Sequence, residues 1–203
     1  MTVLHGRLGM VVRVPGRPRL ARAPGAHGSI RSILRQATQR DHELLDRSLG
    51  RLDLTDRADY SILLNVHYNA LMALAGRWSV RDHPEFSGLL TCLENDLRAL
   101  NCPFGHAVVT QAANAECPGQ WGLAYVIRGS RLGAAILRNR VPAGYPTSYL
   151  EYAPILTWPE FLKQLDCEDR VINSRALGQI IRGAQRAFAA FAAAAAGQGL
   201  VNE

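Results

Sequence analysis

The stretch that most constrains the fold is Gln120 to Arg140, QWGLAYVIRGSRLGAAILRNR. Its pattern predicts a single helix, yet it carries three glycines, Gly122, Gly129 and Gly133. Spacings of seven and four set all three along one helical face, with Ala134 beside them. A glycine inside a helix costs about 1 kcal/mol relative to alanine. Three on one face imply that something comes close to the backbone there. Two readings are open: another helix packed tightly, or a flat ligand lying against the helix.

The rest of the chain supplies helices for that one to pack against. Ser29 is placed to cap a helix running to about Leu49, SIRSILRQATQRDHELLDRSL. Leu34, Thr38, His42, Leu45 and Leu49 share one of its faces, so His42 is expected on the inward stripe. Asp46 follows His42 by four residues, within reach across one turn. Thr55 is expected to cap a long second helix ending near Gly76 to Trp78, with Tyr60, Leu63, Leu64, His67, Leu71 and Leu74 inward. His67 reads as a core histidine. Pro84 marks the loop before a third helix, whose stripe is Leu89, Leu90, Leu93 and Leu97. Cys102-Pro103-Phe104-Gly105 ends it, and a short helix from about His106 to Ala113 is expected before Cys117-Pro118-Gly119.

Beyond the glycine helix the chain reads as irregular to Pro154. A short helix follows over Trp158 to Leu165, with Trp158, Phe161, Leu162 and Leu165 inward. A last helix runs from about Asn173 to Ala196 on Ala176, Ile180, Ala184, Ala187, Phe188 and Phe191. No stretch alternates with a period of two. The expected architecture is an all-α bundle of six to eight helices.

The net charge of +6 is carried by the front of the chain. The first 40 residues hold eight arginines and no acid, leaving 15 basic against 17 acidic residues in the other 163. That near-neutral body argues against a nucleic-acid-binding surface. Residues 1–28, rich in Arg, Pro and Gly, read as a disordered extension before a domain at 29–203. No run is long and apolar enough to span a membrane. Cys92, Cys102, Cys117 and Cys167 form no CxxC pair, which argues against a zinc site or a disulfide framework and fits a cytoplasmic location.

His42 and the glycine helix carry the chemistry. A lone histidine on an apolar face is more often a hydrogen-bonded core residue, and Asp46 otherwise pairs with Arg47 or Arg51. A carboxylate on the far ring nitrogen, however, fixes the tautomer and makes the imidazole a better iron ligand. A histidine on one helix and a glycine groove on another suit a heme, which needs an axial ligand on one side and space or bulk on the other.

Two segments make that pairing specific. LRQATQRDHELLD, Leu34 to Asp46, is similar to the proximal helix of the heme oxygenase family. AYVIRGSRLGAA, Ala124 to Ala135, is similar to the distal-helix signature YxxxGSxLGG of that family's bacterial, phytochrome-associated branch. The WxxFLxxL of Trp158 to Leu165 and the Ala187-Phe188 pair are weaker echoes. The resemblance implies heme sandwiched between the first helix and the distal helix. It implies oxidative cleavage of heme b, substrate and cofactor together, to biliverdin with release of iron and carbon monoxide. Dioxygen is then the co-substrate, and a ferredoxin or a reductase the electron donor. A bacterial phytochrome is an implied recipient of the biliverdin.

Carried over by position, the resemblance makes His42 the axial ligand of the heme iron and Asp46 its supporting partner. Thr38 and Tyr125 line the pocket. Gly129 and Gly133, with Ser130 between them, make room for dioxygen. Ala134 stands where the family often has a second glycine. Lys163 is the candidate for the heme propionates, while Arg128 and Arg131 either reach the pocket or lie in solvent. A non-catalytic heme-binding protein, storing, sensing or transferring heme, is the alternative that Ser130 and Ala134 leave open.

Overall fold

Helix follows helix along the chain in a computed structural model that describes residues 29–75, 84–104, 118–169 and 173–200. The elements are α1 (Ile30–Leu49), α2 (Arg57–Ala75), α3 (Pro84–Ala99), α4 (Gly119–Arg138), α5 (Ser148–Glu151), α6 (Trp158–Asp169) and α7 (Ser174–Gly197). No strand occurs among the described residues. The extension over residues 1–28, the end of the second helix at Gly76 to Trp78, the loop with His83, the short helix at His106 to Ala113, and Gly105 and Cys117 lie outside them.

Local chemistry explains most helix ends. Ser29 Oγ accepts the Ser32 N–H at 3.3 Å and so caps α1 as expected. The cap of α2 is Asp56 instead of Thr55: its Oδ1 accepts the N–H groups of Ala58 and Asp59 at 2.8 and 3.0 Å. Thr55 is drawn away because its N–H and hydroxyl both donate to the Asp53 carboxylate. α3 begins at Pro84 itself, where the missing N–H leaves nothing unpaired. It stops where Asn101 takes a φ of 53° and the Cys102 N–H returns to the Leu97 carbonyl at 2.9 Å. Asn173 Oδ1 caps α7.

α5 is the element that local sequence hides. Asp96 of α3, 1% exposed, accepts the N–H groups of Ser148 and Tyr149 at 3.0 and 2.8 Å. A carboxylate 52 residues upstream thus starts a single helical turn in a stretch that reads as irregular.

α7 is the centre of the bundle, and α4, α1 and α2 all pack on it. Ile180, Ala184, Ala187, Phe188 and Phe191 are buried along it, while Ala176 is only partly covered. α3 packs on α2 and α5, and α6 rests on α1 and α4. The core stripes of α2 and α3 are buried as expected, except that Leu90 is half-covered. His67 is buried between Tyr149 and Phe191, ring centroids 5.2 and 5.3 Å away, with Nδ1 2.9 Å from the Leu63 carbonyl. Burial pushes its pKa down to about 4.

Candidate heme site between the first and fourth helices

The three glycines of α4 divide between the two open readings. A Cβ at Gly122 would lie on the Ile180 carbonyl and crowd the Ala184 N–H, so Gly122 is what lets α4 cross α7 backbone to backbone. Gly183 of α7 answers it from the other side, against the Gly119 carbonyl. Gly133 has nothing within 4 Å of the position a Cβ would take. At Gly129 only the Trp158 ring is near, at 3.6 Å, which is ordinary contact. Gly122 therefore serves helix packing, Gly129 is met only by the Trp158 ring, and Gly133 leaves bare backbone facing open space.

The open side of α4 is also apolar. Leu132 and Ile136, next to Gly133, are 54% and 68% exposed. Large apolar side chains left that open on a helix are the kind of feature that marks a ligand or partner surface. Ala134 points the other way: it is 4% exposed, in the core, because one residue along a helix turns the side chain by about 100°. Ser130 donates its hydroxyl to the Ile127 carbonyl at 2.7 Å, so its proton is held by its own helix.

α1 offers a histidine. Its core face carries Ile30, Leu34, Thr38 and Ser48, and Thr38 returns its hydroxyl to the Leu34 carbonyl at 2.8 Å. Thr38 is thus spent on the core. His42 departs from the inward stripe expected of it, with its side chain 63% exposed. Its Nδ1 lies 2.9 Å from Oδ2 of Asp46, and its ring meets Phe188 of α7 edge-on at 5.9 Å. With Nδ1 donating to a carboxylate, Nε2 is the nitrogen left with a lone pair. A histidine in that state, tautomer set and ring open on one side, is chemically suited to an axial iron ligand.

α1 and α4 both lean on α7 and neither packs extensively on the other. Tyr125 marks where they come near. Burial pushes its hydroxyl pKa up, and the charges of Arg31 and Arg35 pull it back. Arg31 and Arg35 stand eleven and seven residues before His42, on the same side of α1. Tyr125 is half-buried against Trp158, 5.4 Å between centroids, and Trp158 in turn stacks on Phe161 at 5.7 Å.

Trp158 and Phe188 belong to this surroundings, yet their helical patterns read only as core positions. Lys163 is exposed on α6, one turn from Glu160, whose carboxyl it helps hold down. No contact joins it to His42 or the glycines among the described residues. Arg128 and Arg131 neither lie in solvent nor point to the open face. Arg128 pairs with Glu85 of α3, and Arg131, 9% exposed, donates to the carbonyls of Tyr149 and Leu150 at 2.8 and 3.3 Å.

A curated heme oxygenase of Xanthomonas campestris pv. campestris (strain 8004) is 37% identical over 106 residues. The match spans 49% of this chain and 62% of that protein, under two thirds of its length. No family model matches the chain. Among solved structures, the heme oxygenase of Neisseria meningitidis in its NO- and CO-bound forms superposes with a TM-score of 0.59 at 18% identity. That superposition covers 87% of this chain and 96% of the Neisseria chain, and at this identity it speaks for the fold. No helix among the described residues is long and apolar enough to cross a membrane. The chain is thus similar in sequence to part of one heme oxygenase and shares the fold of another over most of its length.

Proposed function

We propose that the protein is a heme oxygenase, cleaving heme b to biliverdin with release of iron and carbon monoxide. Dioxygen is the oxidant in this reading, and a donor protein such as a ferredoxin or a reductase supplies the electrons. The observation that carries it is the His42–Asp46 pair: an exposed imidazole on α1, held at Nδ1 by a carboxylate. Nothing in the packing of α1 asks for it, since neither side chain is buried. Heme, when bound, supplies the oxygen-activating chemistry, and the protein supplies binding and orientation.

Each residue then has a task. His42 Nε2 holds the iron, and Asp46 keeps the imidazole in the tautomer that leaves Nε2 free. Gly129 and Gly133 keep the opposite side clear of side chains, and Leu132 and Ile136 cover apolar macrocycle edge. Tyr125 and Trp158 close one end of the space. The heme propionates go to Arg35 and Arg31 in preference to Lys163, because those two guanidinium groups lie near Tyr125 on the His42 side of α1. Residues 29–203 act as one domain in this reading, in the cytoplasm, with a bacterial phytochrome as one recipient of the biliverdin.

A second reading, heme binding without oxidation, is favoured by Ser130, whose hydroxyl proton is already held by Ile127 O. Hemin titration followed by ascorbate or a ferredoxin reductase system under air separates the two. Loss of the heme band with growth of a biliverdin band supports the enzyme. Stoichiometric binding with intact heme supports the second reading, and absence of binding overturns both.

A further inference from the structure

A helix that turns bare backbone outward has no side chains on that face with which to hold its own rotation. α4 is held from behind. Arg128, directly before Gly129, pairs through Nη2 with Oε2 of Glu85 on α3, both side chains being at most 15% exposed. Its Nη1 donates to the Leu156 carbonyl at 3.4 Å, and its guanidinium lies over the Phe161 ring, 5.2 Å from the centroid. One turn on, Arg131 donates to the Tyr149 and Leu150 carbonyls of α5 and lies 4.6 Å over the Tyr149 ring. α3 and α4 each pack on α5, and the Glu85–Arg128 pair spans directly from one to the other.

Glu85 Oε1 and Arg131 Nε and Nη1 are buried without a protein partner among the described residues. A buried ion pair adds little net stability over apolar packing, because desolvation offsets the attraction. Either charge left alone is costly, however, so few orientations of α4 satisfy both. Such a pair selects a geometry.

We propose that Glu85 is a positioning residue that acts through Arg128 to fix the rotation of α4 at which Gly129 meets the Trp158 ring and Gly133 faces outward. The consequence for turnover rests on the heme oxygenase reading; the brace itself does not. The test compares wild type, Glu85→Gln, and the exchanged pair Glu85→Arg with Arg128→Glu. Glutamine keeps the shape and one acceptor while removing the charge, so that variant is expected to fold.

Amide hydrogen exchange of the ligand-free proteins reads the brace. In Glu85→Gln, residues 126–136 should exchange about tenfold faster while α1 is unchanged, and the exchanged pair should restore protection. With hemin and reductant, Glu85→Gln should keep its heme affinity within about threefold and lose about tenfold in kcat, a split that general destabilisation does not produce. Exchange over 126–136 within about twofold of wild type in Glu85→Gln overturns the proposal. Faster exchange there in Glu85→Gln, together with a wild-type protein that binds no hemin, supports the brace and sinks the heme reading instead.

Discussion

His42 Nδ1 and Asp46 Oδ2 lie 2.9 Å apart across one turn of α1, with both side chains about two thirds exposed. An exposed pair of this kind is worth under about 1 kcal/mol to the fold. Its value is in the state it gives the imidazole. His42→Ala should therefore leave the melting temperature nearly unchanged and abolish the native axial ligation seen in the hemin spectrum. Asp46→Asn should keep the ligand but weaken heme affinity by about tenfold or more. A native spectrum in His42→Ala would remove His42 from the site.

The glycines of α4 should separate under one substitution. Gly133→Ala adds a methyl to open space and removes backbone freedom from the unfolded chain, and should stabilise the protein by about 0.5–1 kcal/mol. Gly122→Ala places a methyl on the Ile180 carbonyl and should destabilise it by about 1–3 kcal/mol or more. Denaturant unfolding of the two variants checks the contrast. Gly129→Ala, whose methyl meets only the Trp158 ring in ordinary contact, should spare stability and reduce heme turnover. Equal effects at Gly122 and Gly133 would undo the division of the stripe.

Arg35 and Lys163 are competing anchors for the propionates. Arg35→Gln should weaken hemin binding by about three- to tenfold, with the difference shrinking as salt rises. Lys163→Gln should change it by less than about twofold. Titrations at two ionic strengths decide between them, and the reverse order of effects would restore Lys163.

His67 predicts acid sensitivity. Its folded pKa, about 4, lies below the usual 6.5, so the unfolded chain takes up the proton first. The stability it contributes is complete above pH 6.5 and is lost as the pH falls toward 4. By linkage, 2.5 pH units at 1.36 kcal/mol each amount to about 3 kcal/mol. Urea unfolding between pH 7 and pH 4 measures this. His67→Gln, which keeps an acceptor and a donor without titrating, should flatten that part of the profile. An unchanged slope would place the sensitivity elsewhere.

Most helices were legible in the chain because a helix is written in neighbouring residues. Ser29 and Asn173 cap where a side-chain oxygen stands three residues before a helical N–H, and the leucines of α2 and α3 recur at helical intervals. The cap of α2 slipped by one residue because Thr55 has a nearer carboxylate in Asp53. α5 was illegible because its cap, Asp96, is contributed by another helix.

The same division runs through the candidate site. By itself the sequence determined that His42 and Asp46 would meet, since four residues make one helical turn, and that α4 would carry a face of bare backbone. Tertiary structure decided everything that depends on where a second element lies. It assigned Gly122 to the crossing with α7 and left Gly133 open, although both sit on one predicted stripe. It turned Ala134 into the core, drew Arg128 and Arg131 onto α3 and α5, and set Trp158 and Phe188 beside the glycines and the histidine. Helical periodicity fixes which residues share a face. Which neighbour that face meets follows from the packing of all the helices at once, and no local interval in the chain encodes it.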